Sequence, residues 1–316
     1  MSGAHSVGAC AERSRAGVLR WWFPPLPRGR VAALRTFVYG FIIADLFVLR
    51  PWVVDHGRVP QELYRPLVVG ELLNLPAPTE SLVRAVMFGL LAASTVALTG
   101  RLPRLAGALV FVLYAQWMVI AFSYGKVDHD RFAFLVALAV LPTVGRARWG
   151  ESTRDDLAGW AIRCIQVAVV LTYFLSVYAK LRFGGIEWVN SATLARAVLR
   201  RGTFLADPLI EYPEVLRAAQ YAIVGFELAS PALLAPGRIG RILLGAAIGF
   251  HALTFIAVGI AFWPHIVCLL AFLPLERLDL ARRPLRGQEP AHSVPATTSD
   301  GAARAKSRSS SSTSPV

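Results

Sequence analysis

Eight stretches of predominantly apolar residues recur along this chain of 316 residues, separated by short polar connections. A bilayer core about 30 Å thick takes roughly 20 apolar residues per helical crossing, and inside it only helices or closed barrels satisfy their own backbone groups. Continuous apolar runs, rather than strict alternation, select the helix. The windows fall at residues 31–53, 81–99, 105–122, 132–144, 157–179, 215–235, 239–262 and 264–278. They predict an all-α, polytopic integral membrane bundle of about eight transmembrane helices. The fourth and eighth windows are short. Asp128 or Asp130 is placed to cap the fourth and Pro264 suits the first turn of the eighth. Six or seven crossings with re-entrant segments are the alternative.

A hydrophobic content of 55% against 17% charged residues is more than a water-soluble domain of this length carries, so residues 31–280 are read as the transmembrane domain. The preceding segment, 1–30, is polar, contains Pro24, Pro25 and Pro27, and has no apolar h-region, so a cleaved signal peptide is not expected. Trp21, Trp22 and Phe23 read as an interfacial aromatic anchor. Residues 281–316 are rich in Ser, Ala, Pro and Arg and lack apolar groups to offset the entropy of ordering, which predicts a disordered cytoplasmic tail.

A net charge of +13 on one soluble patch would suggest nucleic acid, but here it is divided among the connections, and the partner implied is the lipid bilayer. With the N-terminus inside, the inner segments collect Arg13, Arg15, Arg20, Arg28, Arg30, Arg101, Arg104, Arg146, Arg148, Arg154, Arg238, Arg241 and the basic tail after Glu276. On the outer side Arg50, Arg58, Arg65, Lys126 and Arg131 are met by six acidic residues, Asp55, Glu62, Glu71, Glu80, Asp128 and Asp130. By the positive-inside rule both termini are cytoplasmic. The connection after the fifth window, with Arg182, Arg196, Arg200 and Arg201, goes against that pattern.

Cys10, Cys164 and Cys268 are far apart and form no CxxC pair, so neither a redox centre nor a metal site is indicated. There is no GxGxxG, Walker loop, HExxH or GxSxG, which removes the common nucleotide and hydrolase chemistries.

Ionisable groups within a crossing cost roughly 2.5 to 3.5 kcal/mol at the helix centre, so each calls for a partner, a cavity or a function. Arg35 and Asp45 share the first window and are expected to fix packing with neighbouring helices. Glu227 has no basic residue within a turn and reads either as a hydrogen-bonding carboxyl or as counter-ion to Lys180. His129, Lys180 and His265 map towards the outer leaflet, and His251 lies deeper. Of 33 basic Lys and Arg residues only three are lysine, at 126, 180 and 306. Arginine anchors a helix end as well as lysine does, but only lysine can lose its proton near neutral pH when desolvated. Lys180 is therefore either a snorkelling anchor or a base.

Three segments resemble the membrane domain of vitamin K-dependent gamma-carboxylases and the bacterial proteins grouped with them as the horizontally transferred transmembrane (HTTM) domain family. One is Tyr173-Phe174-Leu175-Ser176-Val177-Tyr178-Ala179-Lys180-Leu181 followed by Glu187-Trp188-Val189. Another is Phe250-His251 with Trp263-Pro264-His265 and Leu273-Pro274. The third is Asp128-His129-Asp130-Arg131-Phe132 with Leu141-Pro142.

The resemblance implies a lyase-type enzyme of a bacterial inner (cell) membrane. In it Lys180 is the base that deprotonates reduced vitamin K, a menaquinol-type hydroquinone; His129 and His251 are further catalytic residues, and Glu227, His265 and Trp188 are candidates to hold the quinol. In the carboxylases the quinol anion reacts with oxygen, and the product removes a glutamate γ-proton before carbon dioxide adds. The pattern departs from the family at Ala179, Thr254 and His265, where a second lysine, an asparagine and a tyrosine are usual, and no large extracytoplasmic portion follows the membrane domain. A quinol-linked reaction on another substrate is thus expected rather than carboxylation of a propeptide-bearing glutamate substrate, with a small peptide or accessory chain as partner. The alternatives are a proton-coupled transporter using Glu227, His251 and Asp45, and a non-catalytic accessory subunit.

Overall fold

The run Arg28–Ala44 forms the first bundle helix, α1, because its large residues recur at helical spacing: Val31, Leu34, Val38 and Ile42 are all fully buried. The computed structural model describes residues 16–123 and 127–282, so the expected disorder of 281–316 falls, beyond residue 282, outside the described residues, as do Cys10, Lys126 and Lys306. The described residues up to Ala281 belong to one compact unit. Helix α1 widens into a π-turn over Asp45–Leu49, and the chain turns at Arg50 instead of continuing to residue 53.

Helix α2, Glu80–Leu98, starts where the Thr79 hydroxyl accepts the Leu82 N–H at 3.2 Å. Its buried stripe is Val83, Val86, Leu90, Ala93 and Ala97, at spacings of three and four. Helix α3, Pro103–Phe122, packs antiparallel beside it and opens with proline in its first turn. The fourth window becomes α4, Phe132–Val140, with a 3₁₀ continuation Leu141–Val144. Neither Asp128 nor Asp130 caps it: Asp128 pairs with Arg50, and the residue at the cap position is Arg131.

Helix α5, Asp156–Gly184, is capped by Asp155, which accepts the Leu157 N–H at 2.8 Å, and runs for 29 residues until Gly185 at φ +61° ends it. That is longer than the roughly 20 residues a crossing needs. Helix α6 is Pro213–Ala229, tightened into a 3₁₀ turn over Ser230–Leu234 by Pro231. Helix α7, Arg238–Val258, stops at Gly259, whose left-handed φ of +64° is a common helix terminator. Helix α8, Trp263–Leu269, begins with Pro264 in its first turn, as the sequence predicts.

Helices α1, α2, α3, α5 and α7 are each long and apolar enough to cross a membrane. Their outward residues suit lipid: Phe88 on α2, Leu171 and Phe174 on α5, and Ile242, Ile248, Leu253 and Phe255 on α7 are large, apolar and exposed. The short α4 and α8 pack instead against their neighbours, α4 contacting α3, α5 and α8. Phe134, Leu138 and Cys268 on them are fully buried. A nine-residue helix is about 14 Å long and cannot span a core of about 30 Å alone.

The two unusual charges of α1 are satisfied within the bundle, as expected of packing residues. Arg35 donates to the carbonyls of Leu141 and Gly145 at 2.5 and 2.6 Å, closing the C-terminal end of the α4 segment. Asp45 is fully buried and receives both terminal nitrogens of Arg131, at 2.6 and 2.7 Å, together with the Tyr114 hydroxyl at 3.1 Å. Before α1, residues 16–22 are helical and Leu26–Pro27 pairs antiparallel with Arg154–Asp155. The Arg163 guanidinium lies 4.6 Å from the Trp21 ring centroid, so part of the aromatic anchor rests on α5.

Candidate functional site

On α5, Tyr173, Ser176 and Lys180 follow the i, i+3, i+7 spacing that brings side chains to one face of a helix. Because α5 continues to Gly184, Lys180 is inside the helix and not beyond its end. Side chains on a helix lean towards its N-terminus, and the lysine does so: its Nζ donates to the Ser176 Oγ one turn earlier, at 2.7 Å. It therefore reaches back along α5 towards its N-terminal end, where a snorkelling anchor would extend the other way. Glu227, arriving on α6, takes both oxygens to the amine, at 2.6 and 2.5 Å, and also accepts from Ser176. The indole of Trp188 stands 5.1 Å from the same nitrogen, adding a π face to the cation's surroundings.

The opposite wall comes from α7 and α8. Phe250, His251 and Thr254 on α7 share a face, and His265 enters from the first turn of α8. The Tyr173 hydroxyl is 2.8 Å from His251 Nε2, and the His251 and His265 rings are 5.4 Å apart. The His265 ring also packs edge-on against Tyr173, with 4.6 Å between ring centroids. His251 Nδ1 and both ring nitrogens of His265 are buried, and among the described residues none of these atoms has a hydrogen-bond partner. A buried polar atom left unsatisfied costs about 1–3 kcal/mol, so three such atoms on one wall mark a place where a polar group of a ligand would be favoured. His129 and Asp130 complete the lining from the connection ahead of α4, with Phe262 6.0 Å from the His129 ring. Burial pushes the Asp130 carboxyl above the usual carboxylate range, although Arg131 beside it acts the other way.

Together these groups enclose a cavity of about 460 Å³, within the size range of small-molecule sites. Its walls are mostly apolar, with the ammonium–carboxylate pair as one polar region and the tyrosine–imidazole group as the other. Proton transfer is chemically available in both regions.

Every residue singled out from the resemblance lines this cavity: Lys180, His129, His251, Glu227, His265 and Trp188. Glu227 is not isolated, for its partner comes from another helix and is Lys180. Asp45 does not line the cavity, being held by Arg131 and Tyr114, so the three residues of a Glu227, His251 and Asp45 relay are not gathered in one place. Tyr173 and Ser176 are the residues that sequence reasoning passed over. Their spacing from Lys180 was the available signal. Among the described residues no group of three or more His, Cys, Asp or Glu side chains could hold a metal ion.

Fold and surface together define a class: an all-α bundle whose apolar helices suit a lipid bilayer, built around a cavity with a lysine–glutamate pair in its wall. No protein-family profile, curated protein or solved structure matches this chain.

Proposed function

We propose that this protein is a carboxylase-like (HTTM-type) enzyme of the bacterial inner membrane that binds a lipid-borne quinol in the Lys180 cavity and removes a proton from it. The observation that carries this is the convergence of Lys180, Glu227, Tyr173, His251 and His265 on one largely apolar cavity. The residues present fit such a group. Apolar walls suit a ring, and the unpartnered His251 and His265 nitrogens offer hydrogen bonds to oxygen. When bound, a reduced quinone supplies acidic hydroxyls and two electrons that oxygen can accept.

Lys180 and Glu227 manage the proton. While Glu227 is ionised, Lys180 holds the proton on Nζ and is not a base. Movement of that proton across the 2.5 Å contact to Glu227 Oε2 leaves a neutral amine beside a neutral acid. In a dry cavity this form competes with the ion pair because it avoids solvating two charges. The free amine then accepts a proton from the ligand. Ser176 holds Nζ in place, and the Tyr173–His251 pair orients the far side. Replacing Lys180 by Ala or Arg should abolish quinol-dependent oxygen consumption while leaving membrane insertion intact. Unchanged turnover would remove Lys180 from the reaction.

The arrangement in the membrane is part of the same proposal. Both termini are cytoplasmic, α6 crosses with the five long helices, and the buried α4 and α8 complete an eight-segment bundle. Support comes from the arginines at the inner ends of the helices and from the absence of a comparable excess near Arg50 and Arg58, which pair with Asp128 and with Asp55 and Glu80. A reporter fused after Ser312 should report a cytoplasmic location, and an extracytoplasmic signal would overturn the orientation.

A further inference from the structure

A second cavity, of about 910 Å³, opens at the other end of the bundle between α1, the C-terminal end of α2 and the connection that contains Trp149. Four arginines line it, Arg35, Arg101, Arg146 and Arg148, and no acidic side chain does. At the same end of the bundle Arg28 is partnered by Glu151 and Asp155 and Arg30 by Glu276. Among the described residues the guanidinium groups of Arg101, Arg146 and Arg148 form no ion pair and no hydrogen bond within the protein. The nearest carboxylate along the chain, Glu151, accepts the backbone N–H of Arg148 at 3.0 Å and lies beside Arg28.

Helix capping does not account for the cluster. The α2 C-terminus ends at this rim and its carbonyls favour cations, yet none of the four guanidinium groups donates to them. Arg35 donates to Leu141 and Gly145 instead, and its Nε, buried and lining the cavity, has no hydrogen-bond partner. Four like charges held around one cavity repel each other unless an anion is present. Apolar Val96, Leu98 and Leu102 share the wall with them. Guanidinium groups match phosphate oxygens in geometry, and basic pockets between helices at the cytoplasmic face suit anionic headgroups.

We infer that this cavity binds a phosphate group, and that its occupant is the headgroup of an anionic phospholipid in the inner leaflet. None of the four arginines lines the Lys180 cavity, so the inference is independent of the quinol chemistry and rests on the proposed function only for the leaflet that supplies the headgroup. The test uses the full-length protein in detergent, titrated with phosphatidylglycerol and followed by native mass spectrometry. The variant R101Q/R146Q/R148Q changes exposed side chains only. Wild type should bind phosphatidylglycerol saturably and prefer it to phosphatidylcholine, and the triple variant should bind roughly 100-fold more weakly, from about fivefold per arginine. Each single substitution should give its own fivefold step, which keeps the test valid if the triple variant fails to fold. R65Q/R182Q/R217Q, which removes the same charge from exposed arginines outside the cavity, should bind like wild type. If inorganic phosphate or glycerol 3-phosphate displaces the lipid at millimolar concentration, the phosphate site stands and its occupant comes from solution. Equal loss in both triple variants, or no loss in either, would overturn the inference.

Discussion

Lys180 and Glu227 have to be considered as one unit, because each makes the other's charge tolerable in an apolar setting. Removing one partner leaves the other as an uncompensated buried charge, at a cost of about 3–5 kcal/mol. Lys180→Met should therefore lower thermal stability in detergent by that order, and Lys180→Met/Glu227→Leu should recover most of it. A double variant no more stable than the single would show that the pair is not energetically coupled. Arg30 and Glu276 form a pair of a different kind at the opposite rim, with two hydrogen bonds of 2.7 Å. Burial pushes the Glu276 carboxyl up, but the Arg30 hydrogen bond, a backbone bond and the Arg30 charge outweigh it, and the group sits below the usual carboxylate range. A depressed carboxyl pKa gives stability that is present above the ordinary value, about 4.3, and is lost as pH falls through the folded value. Acid unfolding below about pH 4.5 should thus be shallower in Glu276→Gln than in wild type, as read by circular dichroism against pH.

At this scale the sequence told only part of the story. The rarity of lysine pointed to Lys180, and hydropathy made Glu227 conspicuous, but that the two touch depends on how α5 and α6 cross. No local pattern encodes that crossing. Tyr173 and Ser176 were legible in principle from their spacing to Lys180, and were hidden because a tyrosine and a serine inside an apolar helix are not costly enough to draw attention.

Elements followed the hydropathy windows closely where a cap defines the end, as with Thr79, and less closely where a glycine stops a helix early, as Gly259 stops α7 at Val258 inside the window 239–262, or where a helix overruns. Helix α5 continues past residue 179 because neither glycine nor proline intervenes before Gly184, and this extension carries Lys180. The short windows 132–144 and 264–278 are apolar enough to resemble crossings, yet their helices are packed inside the protein, a distinction that mean hydropathy cannot make. A Cβ on Gly159 would lie 1.6 Å from the Pro24 carbonyl oxygen, where the N-terminal segment lies on α5. Gly159→Ala should cost about 1–3 kcal/mol or more, as overpacking does, measured by thermal unfolding. Arg131→Leu strands Asp45 between α1, α3 and α4 and should cost about 3–5 kcal/mol, whereas a change of under 1 kcal/mol would mean that water enters to replace the guanidinium.

Across the whole molecule, arginines mark both ends of the bundle while apolar side chains face outward along its length, and a largely apolar cavity with two polar regions lies within. The exterior was legible from composition, since over half the residues are hydrophobic. The cavity was not, because it is assembled from α5, α6, α7, α8 and the connection before α4, which are far apart along the chain. Equilibrium binding of a menaquinol-type hydroquinone to the purified protein in lipid nanodiscs tests the central proposal most directly, with Lys180→Met/Glu227→Leu as the comparison because it keeps the apolar volume without the charges. Wild type should bind one quinol per chain, and the double variant should bind at least about tenfold more weakly, since it lacks the polar groups that meet the hydroxyl. Equal binding by both proteins, or none by the wild type, would contradict the assignment of this cavity to a quinol.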